Sequence, residues 1–162
     1  GDTVSLGSGG TVTNTPAFLM SKTVNQVIDD ETYTTVEFNS TILDTDSGYS
    51  TSTHKYTIPV AGKYLIFCEV YASSPNNSDG LERYNLRIMK DSDQLAENFY
   101  DQRNNPGYQF TNKIQHIDNF SANDTIYVQA FIDVTNGGDN PELTGSTSRS
   151  LARFGAFRLI GA

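Results

Sequence analysis

The sequence predicts an all-β domain, a sandwich or jelly roll, and three observations predict it. Almost every apolar cluster after Pro16 is short, β-branched or aromatic, and bounded by Gly, Pro, Asn, Asp or Ser. No stretch carries the 3.6-residue periodicity of an amphipathic helix. The 162 residues, 36 % hydrophobic with nine Tyr, nine Phe and no Trp, suffice for one core built from about ten short strands.

Residues 1–15 are rich in Gly, Ser and Thr and offer little to bury, so they read as a flexible linker. The domain is expected over residues 16–162. Strands are predicted at Ala17–Lys22, Gln26–Ile28 and Thr34–Asn39, with a polar loop from Asp44 to Thr53. His54–Ile58 ends at Pro59, which has no amide donor for a central ladder. Arg83–Lys90 alternates, with Tyr84, Leu86 and Ile88 inward. Asp91-Ser92-Asp93 is a turn and Leu95–Tyr100 a weakly pairing segment. Tyr108–Asn119, Thr125–Asp133 and Leu151–Ile160 complete the set, the last two separated by a Gly/Asn/Ser/Thr loop over Thr135–Ser150.

Lys63–Ser73 is the strongest strand. One face carries Tyr64, Ile66, Cys68, Val70 and Ala72, the other Leu65, Phe67, Glu69 and Tyr71. A strand with one solvated face alternates apolar with polar; this one is largely apolar on both. One side belongs to the core. The other needs a second cover, and with no helices predicted that cover is another subunit or long loops. Cys68, the single cysteine, lies inside this run and reads as a buried, inert thiol; no disulfide can form within the chain.

Nineteen acidic against eleven basic residues give a formal charge of -8, which disfavours nonspecific nucleic-acid binding. No run is long and apolar enough for a membrane-spanning helix. His54 and His116 sit in no local His/Asp/Glu or His/Cys motif. No P-loop, zinc spacing, dinucleotide glycine pattern or nucleophile elbow occurs. The expectation is a protein that is not an enzyme.

Several segments resemble the C1q-type globular head of the C1q/TNF-like jelly-roll superfamily. Pro16-Ala17-Phe18 resembles its opening strand and Phe38-Asn39 the step before its long loop. The run from His54 through Tyr56-Thr57-Ile58-Pro59-Val60-Ala61-Gly62-Lys63-Tyr64 to Phe67 resembles its aromatic–Thr–x–Pro–x–x–Gly–x–Tyr–x–Phe signature, with one residue added before Phe67. Leu86-Arg87-Ile88-Met89-Lys90, Phe120 to Val128 and Phe154 to Ile160 are similar to later strands. Asn123 stands where the family usually has Gly, a change that Asn tolerates because it adopts left-handed geometry. The resemblance implies a ten-stranded jelly roll forming a homotrimer. Leu65, Phe67 and Tyr71 are then the expected trimer-interface residues.

Calcium is the one cofactor that the loops bring into question, since its oxygen ligands can be gathered from distant turns. Asp44 with Asp46, Asp91 with Asp93, and Asp139 with Glu142 are weak candidates without EF-hand spacing; solvated acidic loops are the plainer reading. Arg83, Arg87, Arg149, Arg153 and Arg158 either pair with acids across a subunit interface or contact an anionic ligand, the pairing being the plainer reading. Tyr71, Tyr100 and Tyr108 suit sugar stacking or core capping equally. Sequons at Asn39, Asn76, Asn119 and Asn123 are weak signals in so Asn/Ser/Thr-rich a chain.

The Gly-Ser-rich lead into Pro16 also resembles C1q-like domains attached to structural proteins of marine bacteriophages. That resemblance implies a trimeric head of a fiber, spike or capsid decoration on a virion surface, joined to an upstream stalk and contacting a host glycan or protein. The alternative is a secreted, extracellular C1q-like lectin or adhesion domain. A purely architectural trimer is a third possibility.

Overall fold

Strong alternation in the sequence becomes two antiparallel sheets packed face to face. The computed structural model describes residues 15–74, 76, 79–137, 140–149 and 151–159; residues 1–14 of the expected linker and the calcium candidate Asp139 lie outside them. Thirteen hydrogen-bonded segments are present, several of them short collinear pieces: β1 Ala17–Ser21, β2 Gln26–Val27, β3 Thr34–Thr35, β4 Ser40–Asp44, β5 Tyr49–Ser50, β6 Lys55–Thr57, β7 Gly62–Ser73, β8 Leu81–Lys90, β9 Asp93–Asp101, β10 Gln109–Phe120, β11 Thr125–Val134, β12 Glu142–Leu143 and β13 Ala152–Arg158.

The first sheet places β7 between β10 and β13, with β1 and then β4 beyond β13; β12 and β2 continue it at the Ser73 end of β7. The second sheet runs β5-β6-β11-β8-β9, with β3 also on β11. This is the C1q/TNF-like jelly-roll architecture expected from the sequence.

Inward side chains of both sheets form one core. Tyr64, Ile66, Val70 and Ala72 of β7 meet Tyr84, Leu86 and Ile88 of β8 and Ile126, Ala130 and Ile132 of β11, all buried. Phe18 and Tyr56 stack at 4.0 Å between ring centroids, with Phe154 edge-on to Phe18. Two polar struts tie the sheets together. The Tyr84 hydroxyl donates to the Val70 carbonyl at 3.1 Å. Buried Asn112 donates through Nδ2 to the carbonyls of Tyr84 and Asn98 and accepts from Asn98 Nδ2.

Four readings of the pattern change. Thr34–Asn39 keeps only Thr34–Thr35 as ladder, although Val36 and Phe38 are buried as alternation requires. Ser40–Asp44 is a strand in its own right, at the sheet edge, with Ile42 and Leu43 exposed. The weak Leu95–Tyr100 segment is a nine-residue strand, and Asp93 belongs to it rather than to the turn. Tyr49–Ser50 and Glu142–Leu143 form short ladders inside expected loops. Edge strands face water, so their composition reads as loop. Asn123 does take a left-handed backbone, with φ of 75°.

Candidate assembly and binding face

The described residues leave the outer face of the first sheet uncovered. Its centre is β7, whose side chains alternate buried and half-buried along the strand. Register fixes what lies beside each outward residue. Ile117, Leu65, Phe157 and Ala17 form one rung across β10, β7, β13 and β1. Gln115, Phe67, Gly155, Leu19 and Leu43 form the next. Ile117 is 52 % exposed, Leu43 48 % and Phe157 42 %. An apolar band this wide, crossing adjacent strands, differs from single exposed hydrophobics, which need no explanation.

Phe67 fills the space that Gly155 leaves. A Cβ on Gly155 would sit 2.6 Å from Phe67 Cζ and 2.7 Å from the Phe18 carbonyl oxygen. The residue added before Phe67 relative to the family signature thus leaves the ring on the outer face, beside Leu65 and Tyr71 in strand parity. Tyr71 is half-buried at the end nearest β12, where the Thr144 amide donates to its carbonyl and its own amide donates to that of Leu151.

The third rung is charged. Lys113, Glu69, Arg153 and Ser21 lie side by side. Lys113 Nζ holds Glu69 Oε2 at 3.0 Å. Arg153, on the other side of Glu69, has its Nε shielded from solvent with no acceptor. Between these rungs is a depression of about 530 Å³ lined by Phe67, Cys68, Glu69, Lys113, Ile114, Gln115 and Arg153. The Cys68 side chain itself faces the core, where burial pushes its thiol well above its usual range.

The other candidates are engaged locally. Asp44 accepts from the amides of Gly48 and Tyr49, bracing its loop, and Asp46 accepts from Thr45 Oγ1. Asp91 accepts from the amide and hydroxyl of Thr125. Asp93 opens β9 opposite Lys90, and Glu142 lies in β12. No group of three or more His, Cys, Asp or Glu that could hold a metal converges among the described residues.

Arg83 and Arg87, read from the sequence as interface or ligand residues, are occupied within the chain. Arg83 pairs with Asp133 at 2.5 Å and Glu31 at 2.7 Å. Arg87 stacks over Tyr33, 3.5 Å from the ring centroid, and donates to Gln129 Oε1. The Tyr33 hydroxyl donates to Glu97. This network spans β8, β9 and β11 on the outer face of the second sheet, where Phe99 remains 54 % exposed. Lys22, invisible as a core residue in sequence, is 2 % exposed and donates to the Glu37 carbonyl and to Gln26 Oε1. Burial lowers its ammonium to about 8, against the pull of the Glu37 and Glu142 carboxylates.

Two antiparallel sheets in this order form a jelly roll with the C1q/TNF-like fold. Solved structures agree on the fold. The globular domain of zebrafish complement 1qA protein is similar at a TM-score of 0.60 and 15 % identity, covering 90 % of this chain and 97 % of that one. The Eiger TNF from S. frugiperda is similar at 0.64 and 12 % identity, covering 91 % and 94 %. No protein-family profile and no curated protein matches the sequence. No helix among the described residues is long and apolar enough to cross a membrane.

Proposed function

We propose that this chain is a non-enzymatic head module that assembles as a homotrimer through the outer face of its first sheet and serves as a structural or recognition tip outside the cell. One observation carries the reading: the band of Leu65, Ile117, Phe157, Phe67 and Leu43 that the chain's own described loops leave open. Burying one large apolar side chain stabilises by roughly 1.5–3 kcal/mol, and threefold symmetry repeats each contact. Leu65 and Phe67 occupy the centre of the proposed interface and Tyr71 its margin.

The setting is part of the proposal. A virion fiber, spike or capsid decoration is supported by the resemblance of the Gly-Ser-rich lead to phage-borne C1q-like domains. The absence of disulfides and the low charged fraction of 19 % also suit it.

Light scattering on the purified chain at micromolar concentration tests the assembly. The expected mass is three times the 17.8 kDa of one chain. A single-chain mass at that concentration overturns the trimeric head.

A further inference from the structure

Charge is distributed unevenly over this acidic protein. The whole chain carries a formal -8, yet the outward positions of β7, β10 and β13 hold Lys63, Lys113 and Arg153 against one acid, Glu69. These three strands make the centre of the face a positive island. Its single carboxylate is already held by Lys113, and among the described residues no carboxylate lies within 4.0 Å of the Arg153 guanidinium. A solvent-shielded guanidinium N–H without an acceptor is costly, because its lost hydration is not replaced.

The depression beside Arg153 has the size of a small-ligand site: about 530 Å³, an aromatic wall from Phe67, a floor of strand backbone at Cys68 and Ile114, whose side chains face the core, and the polar side chains of Glu69, Lys113, Gln115 and Arg153 at the rim. Phe67 leans on Gly155, which keeps the ring to the β13 side. The Gln115 side chain, one rung from Lys113 on β10, makes no hydrogen bond within the described residues and adds an amide donor. A guanidinium fork recognises a carboxylate with two parallel hydrogen bonds.

We propose that the depression between β7, β10 and β13 binds a small organic anion, a carboxylate on a flat apolar body, with the Arg153 guanidinium holding the carboxylate and Phe67 covering the body. The site is built within one chain. It borders the proposed trimer contact at Phe67, lying on the Glu69 side of that ring while Leu65, Ile117 and Phe157 lie on the other, and it goes beyond that reading, so the two can fail separately.

Benzoate is the probe, titrated calorimetrically into the full chain, with acetate as the carboxylate lacking a ring. Saturable binding of one benzoate per chain is expected, tighter than acetate and weakened by added chloride. Arg153→Gln should weaken it by about tenfold or more. Arg103→Gln, which removes an arginine paired with Asp101 away from this face, should leave it unchanged. No saturation with benzoate, or equal binding to Arg153→Gln with an unaltered thermal melt, overturns the site. Sedimentation velocity on the same samples separates the two readings. A monomer that binds benzoate keeps the anion site and ends the trimer reading; a trimer that ignores benzoate does the reverse. A trimer that ignores benzoate and dissociates on Arg153→Gln would mean that a neighbouring copy's carboxylate fills the site, and this too overturns the proposal.

Discussion

The Phe67 ring rests on Gly155, its cross-strand partner, closely enough that any side chain there would displace it. Phe18 crowds the same point from β1 through its carbonyl oxygen. The glycine therefore sets both the packing of three strands and the position of the ring on the outer face. Gly155→Ala should destabilise the chain by roughly 1–3 kcal/mol through overpacking, because a backbone atom cannot move aside as a flexible side chain can. Urea unfolding reads this directly; an unchanged midpoint would show that the strands separate without cost.

Introducing a carboxylate into the apolar band should block assembly without unfolding the chain. Phe67→Asp places a charge at a contact expected to be dry, where desolvation is uncompensated. Ile117→Asp makes the same test at a position already 52 % exposed, so the fold of one chain should hardly notice it. Both variants are expected as single chains by light scattering, with native circular dichroism. A folded trimer of both would move the interface elsewhere.

Asn112 is a fully buried amide that serves both sheets. Replacing it with Ala strips hydrogen bonds from the Tyr84 and Asn98 carbonyls and from the Asn98 amide. Breaking a buried polar network of this kind costs about 2–4 kcal/mol. Denaturant titration should show a lower midpoint with the same slope. Asn98→Ala, at the half-buried end of the network, should cost less.

Lys22 gives stability a distinctive alkaline dependence. Its folded pKa of about 8 lies below the usual 10.5, so between these values the unfolded chain binds the extra proton. Stability attributable to Lys22 is lowest below pH 8 and rises through the window up to 10.5. Cys68 and the raised tyrosines Tyr49, Tyr56, Tyr64 and Tyr84 act oppositely. Burial keeps them protonated in the fold, so their contribution is lost once the unfolded groups ionise, near pH 9 for the thiol and 10 for the phenols. Lys22→Met isolates the lysine, since both variants share the other groups. Wild type should gain roughly 1–3 kcal/mol on Lys22→Met between pH 7.5 and 10, measured by unfolding in paired buffers. A constant difference would show that Lys22 is not desolvated.

Sequence pattern sufficed where a strand is buried on at least one face. β7, β8 and β11 were legible because alternation there is enforced by the core, and inward Tyr84, Leu86 and Ile88 followed from it. Pattern failed at the rims. β4 went unread and β9 showed only as a weakly pairing segment over Leu95–Tyr100, since a strand whose outer edge faces water carries little hydrophobic signal. At the candidate site, the double-sided character of β7 singled out Leu65, Phe67 and Tyr71. Ile117, Phe157 and Leu43 were not assigned to that face, because their places beside Leu65 and Phe67 depend on pairing with distant strands.

By itself the sequence determined the all-β class, the core residues of the central strands and the presence of an apolar face beyond the core. These depend on a period of two residues, a local property of any extended chain. Tertiary structure alone decided which strands lie side by side. That choice put Ile117, Leu65 and Phe157 on one rung and gave Glu69 to Lys113, leaving Arg153 without an acid. Register between segments far apart in the chain is set by hydrogen-bonded pairing and the fit of side chains such as Phe67 over Gly155, and no local pattern encodes it.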